Sequence, residues 1–447
     1  MKLSATEQLD AYLKNVESFR LHPSEIASLL QSLSDDKFQV YITKLPKELI
    51  GDIALELPDR YFGNVIENLS VKELAEAVTE LESDDQTDFM QELEESDEAV
   101  AKEVFEALPH DDQADITQLK TYDDDDAGAY MQTEVFTARL NEKVQDVVNR
   151  FARLRKAEEI ENVHNLFITD NSGVLRYVIA LDDLLIFDFS QSFDVCIADE
   201  EHKYNPIVAL DSSNISEAVR TIEEFNLNAL AIVSSDGKLL GRITGDDVYD
   251  IIQELSTEQM YRMAGVDDDA EEDELILSAG KKRAFWLSIN LVTAIIASLV
   301  IGMFEETLQS LVALAILMPI VASMGGNAGT QSLTVVVRQL ALGDITKNDA
   351  IRTIKKEVFI ALGNGFVFAL VMGLISYLWF NIPLLGVVIG LSMLINLFSA
   401  GFFGAAIPLV LKRMNIDPAI GSTVILTTVT DVVGFLSFLG LATVILF

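Results

Sequence analysis

Cysteine and histidine are nearly missing from this 447-residue chain: Cys196 stands alone, and the histidines are His22, His110, His164 and His202. A single thiol excludes a disulfide framework, and so few soft or nitrogen ligands argue against a zinc, copper or iron–sulfur centre. Any metal that matters here is a hard cation held by oxygen. An apolar signal core is also lacking, because Glu7, Asp10 and Lys14 stand where it would lie, so membrane delivery is expected from later segments. Bases are scarce, 32 against 70 acids. From Ala284 onward seven acids meet seven bases, so the whole net charge of −38 sits on residues 1–283. Such a surface repels nucleic acid and anionic lipid and gathers counter-cations. The length exceeds one core, and two to four domains are expected.

Charge disappears over long stretches of the last third. Residues 284–304 carry none, enough to cross about 30 Å of hydrocarbon. Residues 307–337 form a second uncharged run, longer than a straight span needs, and 358–411 form a third with a turn at Asn381-Ile382-Pro383. Five spans are expected, at about 284–304, 307–337, 358–380, 383–411 and 420–446. Basic and non-basic loops alternate: Lys281-Lys282-Arg283, then Glu305-Glu306, then the bases from Arg338 to Lys356, then the Asn381 turn, then Lys412-Arg413. By the positive-inside rule the N-terminus and its acidic 280 residues are cytosolic, and Phe447 is outside.

Polar groups inside these spans are the candidate functional residues. Asp431, in Thr427-Thr428-Val429-Thr430-Asp431, has no base nearby in sequence. A carboxylate at that depth costs roughly 2.5–3.5 kcal/mol on insertion scales, so it should face a partner or water. An ion path is the reading taken here, against a protonated structural aspartate. Span two reads Met324-Gly325-Gly326-Asn327-Ala328-Gly329-Thr330-Gln331 after Pro319, which is poor helix filler. Irregular carbonyls are tolerated in a membrane only beside protein or a wet cavity, whereas small residues also let helices approach. Gly325, Gly326, Asn327, Thr330 and Thr427 therefore join Asp431 as ion-path candidates, with a helix-packing seam as the competing reading. Asn290, Asn364 and Asn396 read as interhelical glue.

The acidic part carries two repeats. Leucine recurs every twelve residues at 33, 45, 57, 69, 81 and 93, followed by cap or turn residues such as Pro46, Pro58-Asp59 and Ser70. Ser70-Val71-Lys72-Glu73 is a capping box, and the pattern describes stacked short helices in a small superhelical domain. A longer repeat places Leu166–Leu175 and Leu230–Leu239 64 residues apart, each continuing into a second apolar strand and an Asp-Asp pair, Asp182-Asp183 and Asp246-Asp247. Strand, Gly turn, strand, helix, preceded by helices at 141–156 and 213–226, is a tandem β-α module. It resembles a CBS pair, which implies a possible adenine nucleotide such as ATP; no nucleotide-binding residue is assigned. Val248, Ile251, Ile252 and Leu255 mark a helical stripe leading toward the membrane, and 267–274 is an acidic run.

These pieces in this order resemble the MgtE family along nearly the whole chain. The matching residues are Pro319 with Gly325–Gln331, Asp417-Pro418, Thr430–Gly434, Met131-Gln132-Thr133-Glu134, Asp246-Asp247-Val248 and Met263-Ala264-Gly265. The resemblance implies a multidomain protein: an all-α superhelical N domain (1–122), an α/β tandem CBS pair (123–252), a connecting helix and linker (253–283) and a five-helix transmembrane domain (284–447). It implies a homodimer in the bacterial plasma membrane that moves Mg2+, with Asp431 and Asn327 in the pore. It also implies closure when intracellular Mg2+ binds acids near the connecting helix, here Asp246, Asp247, Asp250, Glu254 and Glu258. Relatives commonly have acids where this chain has Asn214, Ser216 and Asn226, and often Asn where it has Thr330, so the pore carries over more firmly than the sensor. Mg2+ sheds water reluctantly and suits one or two carboxylates plus neutral oxygens. The expected function is Mg2+ transport rather than enzymatic catalysis, since an intramembrane metalloprotease needs His-Glu-x-x-His and no histidine follows His202. A Na+- or H+-coupled divalent carrier is the nearest alternative, and a membrane-tethered CBS nucleotide sensor without transport the next.

Overall fold

Cap and turn chemistry cuts the first 120 residues into short helices. The computed structural model describes residues 4–14, 21–157, 160, 162–198, 201–245, 247–265, 276–341, 345, 349–414 and 416–447. It divides into two units, 1–252 and 253–447. The first opens with α1 (Ala5–Lys14), α2 (Pro23–Gln31), α3 (Asp35–Ile42), α4 (Ile50–Leu55), α5 (Phe62–Asn68), α6 (Val71–Thr79), α7 (Ser83–Ser96), α8 (Glu98–Ala107) and α9 (His110–Leu119). The twelve-residue leucine period is the helix-plus-turn unit: Leu45, Leu57, Leu69 and Leu81 each follow a helix end and are buried in a common core. The expected capping box forms, with Ser70 Oγ accepting from the Glu73 amide and Glu73 Oε2 accepting from the Ser70 amide. The period ends at Leu93 because α7 runs on through it.

Two copies of one module follow. The first is β1 (Thr137–Arg139), α10 (Val144–Lys156), β2 (Asn165–Thr169), β3 (Leu175–Ala180) and α11 (Phe193–Ile197). The second is β4 (Val208–Leu210), α12 (Ile215–Phe225), β5 (Ala229–Val233), β6 (Leu239–Thr244) and the start of α13 (Asp247–Ala264). In each sheet the leading strand runs parallel to the middle one and the hairpin is antiparallel, with a register shift at the same place, Ile168/Thr169 and Ile232/Val233. Gly173 and Gly237 turn the hairpins at positive φ. The two tips pair: Leu175 donates to the Gly237 carbonyl and Leu239 to the Gly173 carbonyl. The leading strands β1 and β4 were not foreseen, since three residues are too few for alternation to register.

The second unit continues α13 and adds α14 (Ile276–Gly302), α15 (Glu305–Ser310), α16 (Val312–Ala341), α17 (Ala350–Phe380), α18 (Pro383–Arg413) and α19 (Ser422–Leu446). Among the described residues five helices are long and apolar enough to cross a membrane: 280–302 of α14, and α16 to α19. The long run at 307–337 resolves into two pieces, because Leu311 is extended and separates α15 from α16. Met324–Gln331 stays helical, contrary to its composition, as does Pro319. In hydrocarbon no water takes over unpaired backbone groups, so helical hydrogen bonding persists. Asn381, at φ +54, ends α17 and Pro383 opens α18, which makes the expected turn.

Candidate functional site

In the membrane unit the ion-path candidates sit on α16 and α19. Asp431 and Thr427 are one turn apart on α19, and both are half-buried in the single chain. Thr427 Oγ1 donates to the Thr423 carbonyl at 2.9 Å, and Thr428 and fully buried Thr430 likewise bond to preceding carbonyls, so the threonines serve their own helix. Among the described residues the Asp431 carboxylate has no hydrogen-bond or ion-pair partner. Asn327 is exposed on α16 and reaches Ser323 Oγ at 3.4 Å, and Thr330 Oγ1 donates to the Gly326 carbonyl at 2.9 Å. The helices meet at Gly329, where a methyl would lie 3.0 Å from Leu426 Cδ1. The two glycines separate: Gly326 opens onto empty space, whereas Gly325 is buried against Asn396 of α18. The other expected glue residues, Asn290 and Asn364, are exposed on the single chain.

The candidates outside the spans divide between the units. Asp247 belongs to the first, in a seam between the short helices and the module pair. Its Oδ2 accepts from Thr244 Oγ1 at 2.5 Å and Gln132 Nε2 at 3.1 Å. Gln132 Oε1 in turn accepts from Arg242 Nε, and Arg242, 2% exposed, also donates to the Asn162 carbonyl and faces Glu82 at 3.6 Å. Ser83 Oγ donates to Glu134, and Thr133 donates to Asp115, closing the seam. Asp84 and Asp85 open α7 beside this network. Burial, then Asp85, Asp247 and Glu82, push Asp84 well above the usual carboxylate range, and its Oδ1 is buried without a hydrogen-bond partner. Burial, then Asp88 and Asp247, push Asp85 up to about 7. Among the described residues no three His, Cys, Asp or Glu side chains converge as a metal cage. The donors are nonetheless all hard oxygens, and an orphaned buried carboxylate oxygen fits a cation that keeps most of its water.

Asp250 is exposed on α13, in the first unit. Glu254 and Glu258 lie in the second, where Glu258 is ion-paired with Arg262. Arg262 Nη1 also meets Asp417 Oδ2 at 2.7 Å, and Thr423 Oγ1 donates to the Met263 carbonyl at 2.9 Å, so the end of α13 is tied to the start of α19. Asp246 and the acidic run 267–274 lie outside the described residues. Asn214 and Asn226 have local work: Asn214 Oδ1 caps α12 through the Ser216 amide, and Asn226 ends it in the left-handed region at φ +51. A cleft of about 340 Å3 on the first module is lined by Phe136, Arg139, Glu142 and Arg150, whose arginines are bonded to Thr169, Glu142 and the Thr137 carbonyl.

Sequence reasoning missed Glu82, Asp84, Asp85 and Arg242. The proximity of these acids to Asp247 is a long-range contact that no local pattern announces. It also missed Glu357 of α17, one residue before an uncharged run, which is buried and accepts from Ser332 Oγ at 2.5 Å.

Residues 318–441 match the model of a family described as a divalent cation transporter, MgtE; residues 21–125 match the MgtE intracellular N domain and 201–254 a CBS domain. The chain is 29% identical over 428 residues to the magnesium transporter MgtE of Thermus thermophilus, covering 95% of this chain and 93% of that protein. It is 31% identical over 335 residues to the magnesium transporter MgtE of Enterococcus faecalis, covering 74% and 72%. A crystal structure of the cytosolic domain of the Mg2+ channel MgtE in complex with ATP is similar at 24% identity and a TM-score of 0.48, over 55% of this chain and 99% of that one.

Proposed function

The chain belongs to the MgtE family of divalent cation transporters, a multi-pass membrane protein, and from that premise we propose that it conducts Mg2+ past Asp431 and Asn327. The carrying observation is Asp431 itself: a half-buried carboxylate on a spanning helix, without a hydrogen-bond or ion-pair partner among the described residues. Facing lipid it would cost several kcal/mol, roughly 2.5–3.5 on insertion scales. Facing its copy in a homodimer, across a wet axis, it supplies the second carboxylate a hydrated divalent ion takes. The acidic first unit then lies in the cytosol and the C-terminus outside, as loop charge directs.

The same premise supports a cytosolic Mg2+ sensor at the seam, held by Asp247 with Asp84 and Asp85. Burial and then mutual repulsion hold Asp84 and Asp85 above the usual carboxylate range; Mg2+ bound there offsets the repulsion, and so favours whichever state of the channel keeps the seam closed. Asp250, Glu254 and Glu258 remain candidates for further ligands, and an adenine nucleotide is the ligand class we assign to the CBS pair. The test is Mg2+ flux into proteoliposomes of the purified chain and of Asp431→Asn. Flux lost in the variant supports the path; equal flux in both removes Asp431 from it. Imposed Na+ or H+ gradients then separate a channel from a coupled carrier.

A further inference from the structure

Asn396 lies within α18 and is wholly buried. Its Nδ2 donates to the Val321 carbonyl of α16 at 2.8 Å. Only the nitrogen end of an amide can serve a carbonyl, so Oδ1 is turned away, and there it is buried with no donor. Glycines bound the amide on both neighbouring helices. A methyl on Gly325 of α16 would lie 2.2 Å from Nδ2, and one on Gly434 of α19 would lie 2.8 Å from it. Gly325 stands two residues before Asn327, and Gly434 three after Asp431.

A purely space-filling residue here would be apolar, since an orphaned acceptor in a dry seam is unfavourable. An apolar contact, however, lets two helices slide along each other. A directional bond to one carbonyl fixes axial position, and the two glycines fix the distance of approach. We propose that Asn396 is a positioning residue: it sets the spacing and register of α16 against α19, and thereby where Asn327 stands relative to Asp431. This rests on the ion-path reading above and adds to it a helix that carries none of the ion-path residues.

The experiment uses the full chain in proteoliposomes, with maximal Mg2+ flux per incorporated protein, half-saturating Mg2+ and the Mg2+:Ca2+ flux ratio measured for Asn396→Ala, Asn396→Leu and Gly434→Ala. The ratio and the half-saturating concentration should each move by about tenfold in both Asn396 variants, a moderate effect for a site loosened by ~1 Å. Gly434→Ala, which pushes the amide aside, should shift the ratio as well. Adding Asn396→Ala to it should recover maximal flux by removing the clash, while the ratio stays altered. A ratio and half-saturation unchanged in Asn396→Ala or Asn396→Leu, with only yield or maximal flux reduced, would reduce Asn396 to packing and overturn the proposal. Should Asn396→Ala not insert, Asn396→Leu and the Gly434→Ala pair decide by the same ratio. Asp431→Asn in the same preparation separates the two failures. Flux lost there with an unchanged Asn396 phenotype overturns the positioning role alone, whereas flux retained there removes the ion path and the role with it.

Discussion

The first unit gathers Glu82, Asp84, Asp85 and Asp247 into one seam, with buried Arg242 facing Glu82, whereas the membrane unit sets Asp431 on a helix with no partner among the described residues. Burial, then the like charges around them, raises the pKa of Asp84 and Asp85, so the charge on these two acids responds to protons. A lone carboxylate, in contrast, has no competing counter-charge and is available to an ion that passes. One residue type thus supports two behaviours, set by how many like charges stand near it.

The largest expected effect comes from the isolated acid. Asp431→Asn should bring Mg2+ flux in proteoliposomes to the background of empty vesicles while leaving Mg2+-dependent protease protection of the first unit intact. Second is the arginine that holds the crowd together. Arg242→Leu removes the contacts to Gln132, the Asn162 carbonyl and Glu82, and each buried polar atom left unsatisfied typically costs about 1–3 kcal/mol. The melting transition of the first unit, followed by proteolysis of the full chain in detergent, should fall accordingly. Added Mg2+ should restore part of the loss, which it would not do if Arg242 acted by packing alone.

Next comes pH. Asp85 is raised from 3.8 to about 7 in the fold, so it is neutral in acid and ionises into a repulsive site as pH rises. Its contribution to stability is fully present below about pH 4 and is lost as pH climbs through about 7. Without Mg2+, the difference in melting temperature between the native chain and Asp85→Asn should therefore shift in favour of the variant between about pH 5 and about pH 8. Apparent Mg2+ affinity should rise over the same window, because the ion displaces a proton. A flat difference would show that Asp85 stays ionised throughout.

Local chemistry was legible in the sequence, and long-range pairing was not. The capping box at Ser70, the hairpin glycines Gly173 and Gly237, the Asn381-Pro383 turn and the uncharged spans each express themselves within a few residues. Asp431 stood out because its depth in a span is itself a local property. The partners of Asp247 did not, since α7 and α13 meet only through the folded module pair. Composition misled at Met324–Gln331, where three glycines suggested irregular backbone. The membrane keeps the helix, and the glycines Gly325 and Gly329 instead admit Asn396 and Leu426.

The smallest effect should come from adding charge back at the edge of the crowded unit. Asn214 and Asn226 are positions where the resemblance implies acids, but both are exposed and both meet a backbone requirement. Asp is as good an N-cap as Asn, and after Gly it is among the residues that best tolerate the left-handed region. The double variant Asn214→Asp, Asn226→Asp should thus keep its melting temperature within about the effect of 0.5 kcal/mol expected at ordinary surface sites. Exposed charges typically contribute about 0.3 kcal/mol each, so the Mg2+ concentration that half-protects the first unit should fall by only about threefold. A fall of orders of magnitude would mean that these positions complete a ligand shell, and the seam around Asp84 and Asp247 would then be secondary. No change at all would leave that seam as the part of the unit that responds to Mg2+.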